Sequence, residues 1–243
     1  MAQPLESQIL QHLQMVEQER QHRWANPALN AGVQALKRYQ QRRFARSYED
    51  LLDSPRYGAA ARFFLDELYG PSDFSGRDAQ FARVVPALVR LFPDQVVRTV
   101  AQLAELHALS ERLDGEMAAT LAGAPLTALA YVQAWQAVGQ PERRQQQIDL
   151  TLAVGRSLDE LTRKPLLRQA LRMMRGPAAA AGLAELQRFL EQGFDTFKAM
   201  RGASDFLDTV RQREEALAAA LFAAPVPAGT DCLASDGRLG QLP

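Results

Sequence analysis

The chain has 243 residues, 47% hydrophobic and 23% charged, enough apolar material to bury a sizeable globular core. Lys plus Arg and Asp plus Glu both total 28, so the net charge is near zero. That removes the global electrostatic argument for nucleic acid or an anionic membrane surface as a partner. The one cysteine, Cys232, excludes an intrachain disulfide and a cysteine zinc site. Met1-Ala2-Gln3-Pro4-Leu5-Glu6 lacks the basic segment and apolar run of a secretory signal, and no apolar stretch reaches bilayer-spanning length. A soluble protein of the reducing cytoplasm is expected.

Helical periodicity runs through nearly the whole chain, and no alternating, turn-bounded strand pattern occurs. A first helix is predicted from Leu5 to about Arg23, ended by Asn26-Pro27. The second runs from about Ala28 to Leu52, ended by Asp53-Ser54-Pro55, and a short third covers Tyr57 to Tyr69. The fourth, Arg77 to Phe92, carries Pro86 inside its pattern and should kink or split there. Phe92-Pro93-Asp94 starts a fifth, which Gly123-Ala124-Pro125 ends. Leu126 to Val138 follows, closed by Gly139-Gln140-Pro141; then Glu142 to Arg175 with a break at Pro165; then Ala178 to Arg201. Ser204 reads as the N-cap of the last helix.

The expectation is therefore an all-α bundle of about eight to ten helices. Residues 1–224 form the helical domain, with a division into two lobes near 123–141 left open, and the Pro-, Gly- and Ser-bearing segment 225–243 reads as a disordered tail.

The search for chemistry yields few motifs. No glycine-rich phosphate loop, Gly-x-Ser-x-Gly elbow or His-Glu-x-x-His is present. A single Glu-x-x-His, Glu19 to His22, falls short of the two such units a di-iron bundle needs, so neither metal nor cofactor is expected. The densest mixture of aromatics, carboxylates and helix-end signals is Phe63 to Asp78. Arg62, Asp66, Tyr69 and Asp73 recur there at helical spacing, Arg77 and Asp78 open the next helix, and Tyr48 lies upstream. This corner is either a structural Arg–Asp–Tyr network or the rim of a polar ligand site, with Asp66 partly buried and bonded to Arg62, Arg77 or a tyrosine. A secondary candidate is His107, which shares a helix face with Glu111 and Asp114 and would serve as base or ligand if those carboxylates oriented it. Arg38, Arg42 and Arg46 form a basic ridge that suits a phosphate backbone, or a solvated helix face.

Tyr48-Glu49-Asp50-Leu51-Leu52, Pro55-Arg56-Tyr57, the Phe63 to Asp78 run with its FFLxxLYGPxDFxxRD pattern, and Phe81 to Pro86 resemble a proteobacterial family of helical proteins of unknown function. Gly193 to Met200 and Phe206-Leu207 to Arg213-Glu214 resemble its C-terminal part, so the similarity spans residues 28 to 222. It implies a soluble, all-helical bacterial protein and brings no catalytic residues with it. The leading expectation is a non-enzymatic binding or scaffold protein with a protein partner or self-association. The alternative is a small-molecule-binding or enzymatic bundle using the corner of Arg62, Asp66, Tyr69, Asp73 and Arg77. Nucleic-acid binding through the Arg38 ridge comes third.

Overall fold

A computed structural model describes residues 4–68, 75–225, 239 and 242–243. Among these residues the fold is all-α, with twelve α-helices and no strand. They are α1 (Leu5–Trp24), α2 (Pro27–Ser47), α3 (Glu49–Leu52), α4 (Gly58–Phe63), α5 (Ser75–Leu91) and α6 (Asp94–Leu121). After them come α7 (Ala128–Val138), α8 (Pro141–Thr162), α9 (Pro165–Met173), α10 (Arg175–Ala180), α11 (Ala184–Ala199) and α12 (Ser204–Ala223).

Proline sets many of the starts. Pro27, Pro141 and Pro165 occupy first-turn positions, where the missing N–H has no helical partner to lose. Asn26 caps α2 by accepting a hydrogen bond from the Leu29 N–H at 3.2 Å. Four boundaries differ from the sequence pattern. The second helix breaks at Tyr48, whose side chain is wholly buried and leaves the helical backbone to reach its partner. Pro86 does not divide α5, because Phe81 and Val85 on one side of that helix are buried and hold it against the core. Gly182, at a φ of +71°, ends the turn that separates α10 from α11. Ser204 is the first helical residue of α12 and does not cap it; Ala203 holds the cap position.

The 28-residue α6 is the axis, packed against α1 and α2 from the first half of the chain and α7 and α8 from the second. Three apolar clusters surround it. One joins Leu36, Tyr39, Met117, Tyr131, Trp135 and Leu221; the second joins Phe44, Tyr48, Phe63, Phe64, Phe197 and Phe206; the third joins Ile9, Leu13, Phe81, Val85, Ala104 and Leu186. Most of the segment expected to be a disordered tail lies outside the described residues. Leu239 and Leu242 are described, and both are buried in the first cluster, with the Leu242 carbonyl accepting a hydrogen bond from Arg46 at 2.9 Å.

Candidate functional site

Where the three clusters meet, the side chains leave a cavity of about 200 Å³. Its apolar wall includes Leu103, Leu106, Ile148 and Leu190, and its polar lining is unusually rich in charge. The polar groups arrive there because they occupy the apolar phase of their helices. On α1, Ile9, Leu13 and Val16 are followed at the same phase by Arg20 and Arg23, both buried. On α12, Glu214 stands between Val210 and Leu217. On α8, Arg144 precedes Ile148 and Leu152 at intervals of one turn.

Burying charge is costly unless it is paired, and most of these groups are paired. Asp78 of α5 accepts from Arg20 and contacts His107 Nε2 of α6 at 2.9 Å. Arg77 reaches Glu67 at 3.1 Å and lies over the Phe189 ring at 4.2 Å. Glu111 takes both Arg23, at 2.7 Å, and Lys37. Glu214 accepts from Arg43 at 2.5 Å and from the Tyr48 hydroxyl at 2.7 Å. Asp114 is held by a neutral donor, Gln40 Nε2, at 2.9 Å.

The two neighbouring acids of α6 are driven in opposite directions. Burial alone would push Glu111 up, but Lys37, His107 and Arg23 prevail and hold its carboxyl at about 2. Burial pushes Asp114 up, and there it wins over the opposing pulls of Lys37 and Gln40. For Asp78 burial is again offset, by the His107 hydrogen bond and charge and by Arg20, which leave it below the usual carboxylate range.

Arg144 is the exception to the pairing. It is 3% exposed, stacks over the Trp135 ring at 3.9 Å, and makes one long hydrogen bond of 3.4 Å to Gln147. Its Nε and Nη2, and the Trp135 Nε1, are buried without an acceptor among the described residues. The α7–α8 turn puts it there. Gln140 adopts a left-handed φ of +61° after Gly139, and its side-chain amide is fixed by donating to Glu116 at 2.6 Å. α8 then begins at Pro141, so Arg144 stands in its first turn.

A family model described as a domain of unknown function, DUF8198, matches residues 18–227. The chain belongs to the DUF8198 family. No curated protein and no solved structure matches it. The charged side chains of the cavity network, from Arg20 to Glu214, all fall inside the DUF8198 span, whereas the docked Leu239 and Leu242 lie beyond it.

The residues singled out by sequence are distributed differently from the expected corner. Tyr69 and Asp73 lie outside the described residues, as does Cys232. Asp66 is exposed, which corrects the expectation of a buried, bonded carboxylate. The backbone passes through a π-helical stretch at Phe64–Leu68; Phe63 and Phe64 are buried while Asp66 faces solvent. Arg62 is also exposed and donates to the Leu52 carbonyl at 2.9 Å. Arg77 and Asp78 instead join His107, Glu111 and Asp114 in the lining of the cavity, so the primary and secondary candidates partly merge. His107 is oriented by Asp78 of α5, not by the carboxylates of its own helix, because Glu111 is occupied by Arg23 and Lys37. Tyr48 serves Glu214. Arg38, Arg42 and Arg46 are exposed on α2, with Arg46 tied to the Leu242 carbonyl. Arg144 and Glu214 were not among the sequence candidates; their signal is a charge set in an apolar helix phase. Among the described residues, no three His, Cys, Asp or Glu side chains converge as metal ligands. No helix among them is long and apolar enough to cross a membrane.

Proposed function

We propose that this DUF8198 protein binds a small organic molecule in the cavity between α2, α6, α8 and α12. The observation that carries this is the cavity itself, about 200 Å³ that the chain leaves unfilled at the centre of a bundle. A bundle with abundant Leu and Ala has ready means of closing such a space, and a guest that fills it recovers the lost contacts. The lining has the composition of a ligand site, with apolar walls and a small set of fixed polar groups. His107, held in place by Asp78, offers a guest one oriented imidazole edge. The alternative of a binding or scaffold surface draws on the exposed Leu166 and Met173 of α9, which are fewer and less enclosed than the cavity wall. One cysteine and no membrane-spanning helix among the described residues agree with a cytoplasmic setting.

The reading is tested by native mass spectrometry of protein purified from its own host, together with a thermal-shift screen of neutral, anionic and cationic small apolar compounds. A retained small mass, or stabilisation by one class that the cavity-filling Ala104→Leu variant no longer shows, is the expected result. An unliganded mass and a blank screen overturn it.

A further inference from the structure

We infer that the guest is an organic acid: a monoanion with an apolar body, whose carboxylate sits against Arg144 and Trp135. This rests on the cavity being a ligand site and names the class of ligand. The charge pattern of the lining supports it. Asp78, Glu111, Glu214 and Glu67 each have a cation in contact, namely Arg20, Arg23 with Lys37, Arg43, and Arg77. Arg144 is the buried cation that forms no ion pair among the described residues; Asp114 and Glu116 act on it only at longer range.

On Arg144 and Trp135, which lie against each other, the unsatisfied groups share one polarity. Arg144 Nε and Nη2 and Trp135 Nε1 are all donors, and none has an acceptor among the described residues. A buried guanidinium left in that state is costly, and an anionic acceptor removes the cost by pairing with it. A carboxylate fits the planar fork of a guanidinium through two parallel hydrogen bonds. The first turn of α8 adds to the same preference, because the positive end of its dipole lies beside the positive side chain and an anion relieves both.

The other groups set the class further. Arg144 is the one of these buried cations that makes no ion pair among the described residues, and a single guest carboxylate completes it. Leu103, Leu106, Ile148 and Leu190 offer the remainder of the guest a hydrocarbon wall.

The test uses the full chain carrying Trp24→Phe. The chain's two tryptophans are Trp24, which is exposed, and Trp135, so Trp135 fluorescence then reports the site directly. Octanoate, octan-1-ol and octylamine are titrated at constant ionic strength, with thermal shift as a second readout. Octanoate is expected to bind at least ten-fold more tightly than octan-1-ol, and octylamine more weakly than either. Arg144→Gln should erase the preference for the acid while octan-1-ol still binds. If octan-1-ol matches octanoate on the Arg144 protein, or if Arg144→Gln keeps the preference, the organic-acid assignment is overturned while the cavity reading stands. Binding of none of the three overturns the assignment as well, and the cavity reading falls with it only where the wider screen is also blank. Should Arg144→Gln fail to fold, the three-compound series on the Arg144 protein decides alone.

Discussion

Asp78 on α5 and His107 on α6 lie 29 residues apart and meet at 2.9 Å inside the bundle, with Arg20 of α1 closing the group from the other side. Three helices are thereby tied through one carboxylate whose side chain is 14% exposed.

Removing that carboxylate strands a cation. Asp78→Ala leaves Arg20, with a side chain 9% exposed, without its counter-charge, and breaking a buried pair in this way costs about 3 kcal/mol. Urea unfolding at pH 7 should show that loss. Because the Asp78 carboxyl lies below its unfolded value, its contribution is present above the ordinary carboxylate range and disappears as pH falls through the lowered one. The difference between Asp78 and Asp78→Ala proteins should therefore shrink on acidification. A constant difference from pH 7 to pH 3 would rule out the ionised pair as the cause.

The chain from α4 into the π-helical stretch gives two contrasting substitutions. Asp66 is exposed, so Asp66→Ala should change stability by no more than about 0.5 kcal/mol. Gly58 is different. A Cβ there would lie 2.6 Å from the Leu52 carbonyl oxygen, a backbone atom that cannot move aside alone. Gly58→Ala should cost about 1–3 kcal/mol through overpacking. Chemical denaturation of both variants checks the pair; a Gly58→Ala protein as stable as Asp66→Ala would contradict the close approach.

The C-terminal end offers a third test. Leu239 and Leu242 are 3% and 6% exposed, in the cluster that contains Tyr39 and Trp135. Fully burying a leucine contributes about 1.5–3 kcal/mol, less the ordering of the chain that carries it. Truncation after Pro225 should lower stability by about 2 kcal/mol, and Leu239→Ala with Leu242→Ala in the full chain should reproduce most of that loss. Equal melting temperatures for the truncated and full chains would show that these leucines do not dock in solution.

The helices were legible wherever proline or glycine punctuates an apolar stripe, as at Asn26-Pro27, Gln140-Pro141 and Lys164-Pro165, since those residues act through local sterics alone. The break at Tyr48 had no such marker, because it arises from a tertiary bond to Glu214, 166 residues away. Pro86 carried the marker and was overridden by burial of the face around it. At the site, the helix face of His107, Glu111 and Asp114 was legible by spacing, but which residues pair with them was not. Pairing between α5 and α6, or α1 and α6, depends on how whole helices cross. Arg20, Arg144 and Glu214 were visible in principle, as charges placed where a leucine would keep the stripe.

The last prediction sets Glu111 against Asp114, one turn apart on α6. Glu111 titrates at about 2 in the fold, against 4.5 as its ordinary value. Its folded value is the lower one, so its stabilisation is complete above pH 4.5 and is lost as pH falls from there toward 2. The shift corresponds to about 3 kcal/mol. Asp114 has the opposite sign. Its folded value is raised, so ionising it is harder in the fold than in the unfolded chain, and the fold loses stability as pH rises through and above its unfolded carboxylate range. Glu111→Gln should thus destabilise at pH 7 and much less at pH 3, while Asp114→Asn, which keeps an acceptor for Gln40, should be neutral or stabilising at pH 7 and lose that advantage in acid. Urea unfolding of the two variants and the parent chain at pH 3, 5 and 7 measures both slopes. Slopes of the same sign would show that the two carboxyls share one electrostatic environment, contrary to the pairing of Glu111 with Arg23 and Lys37 and of Asp114 with Gln40.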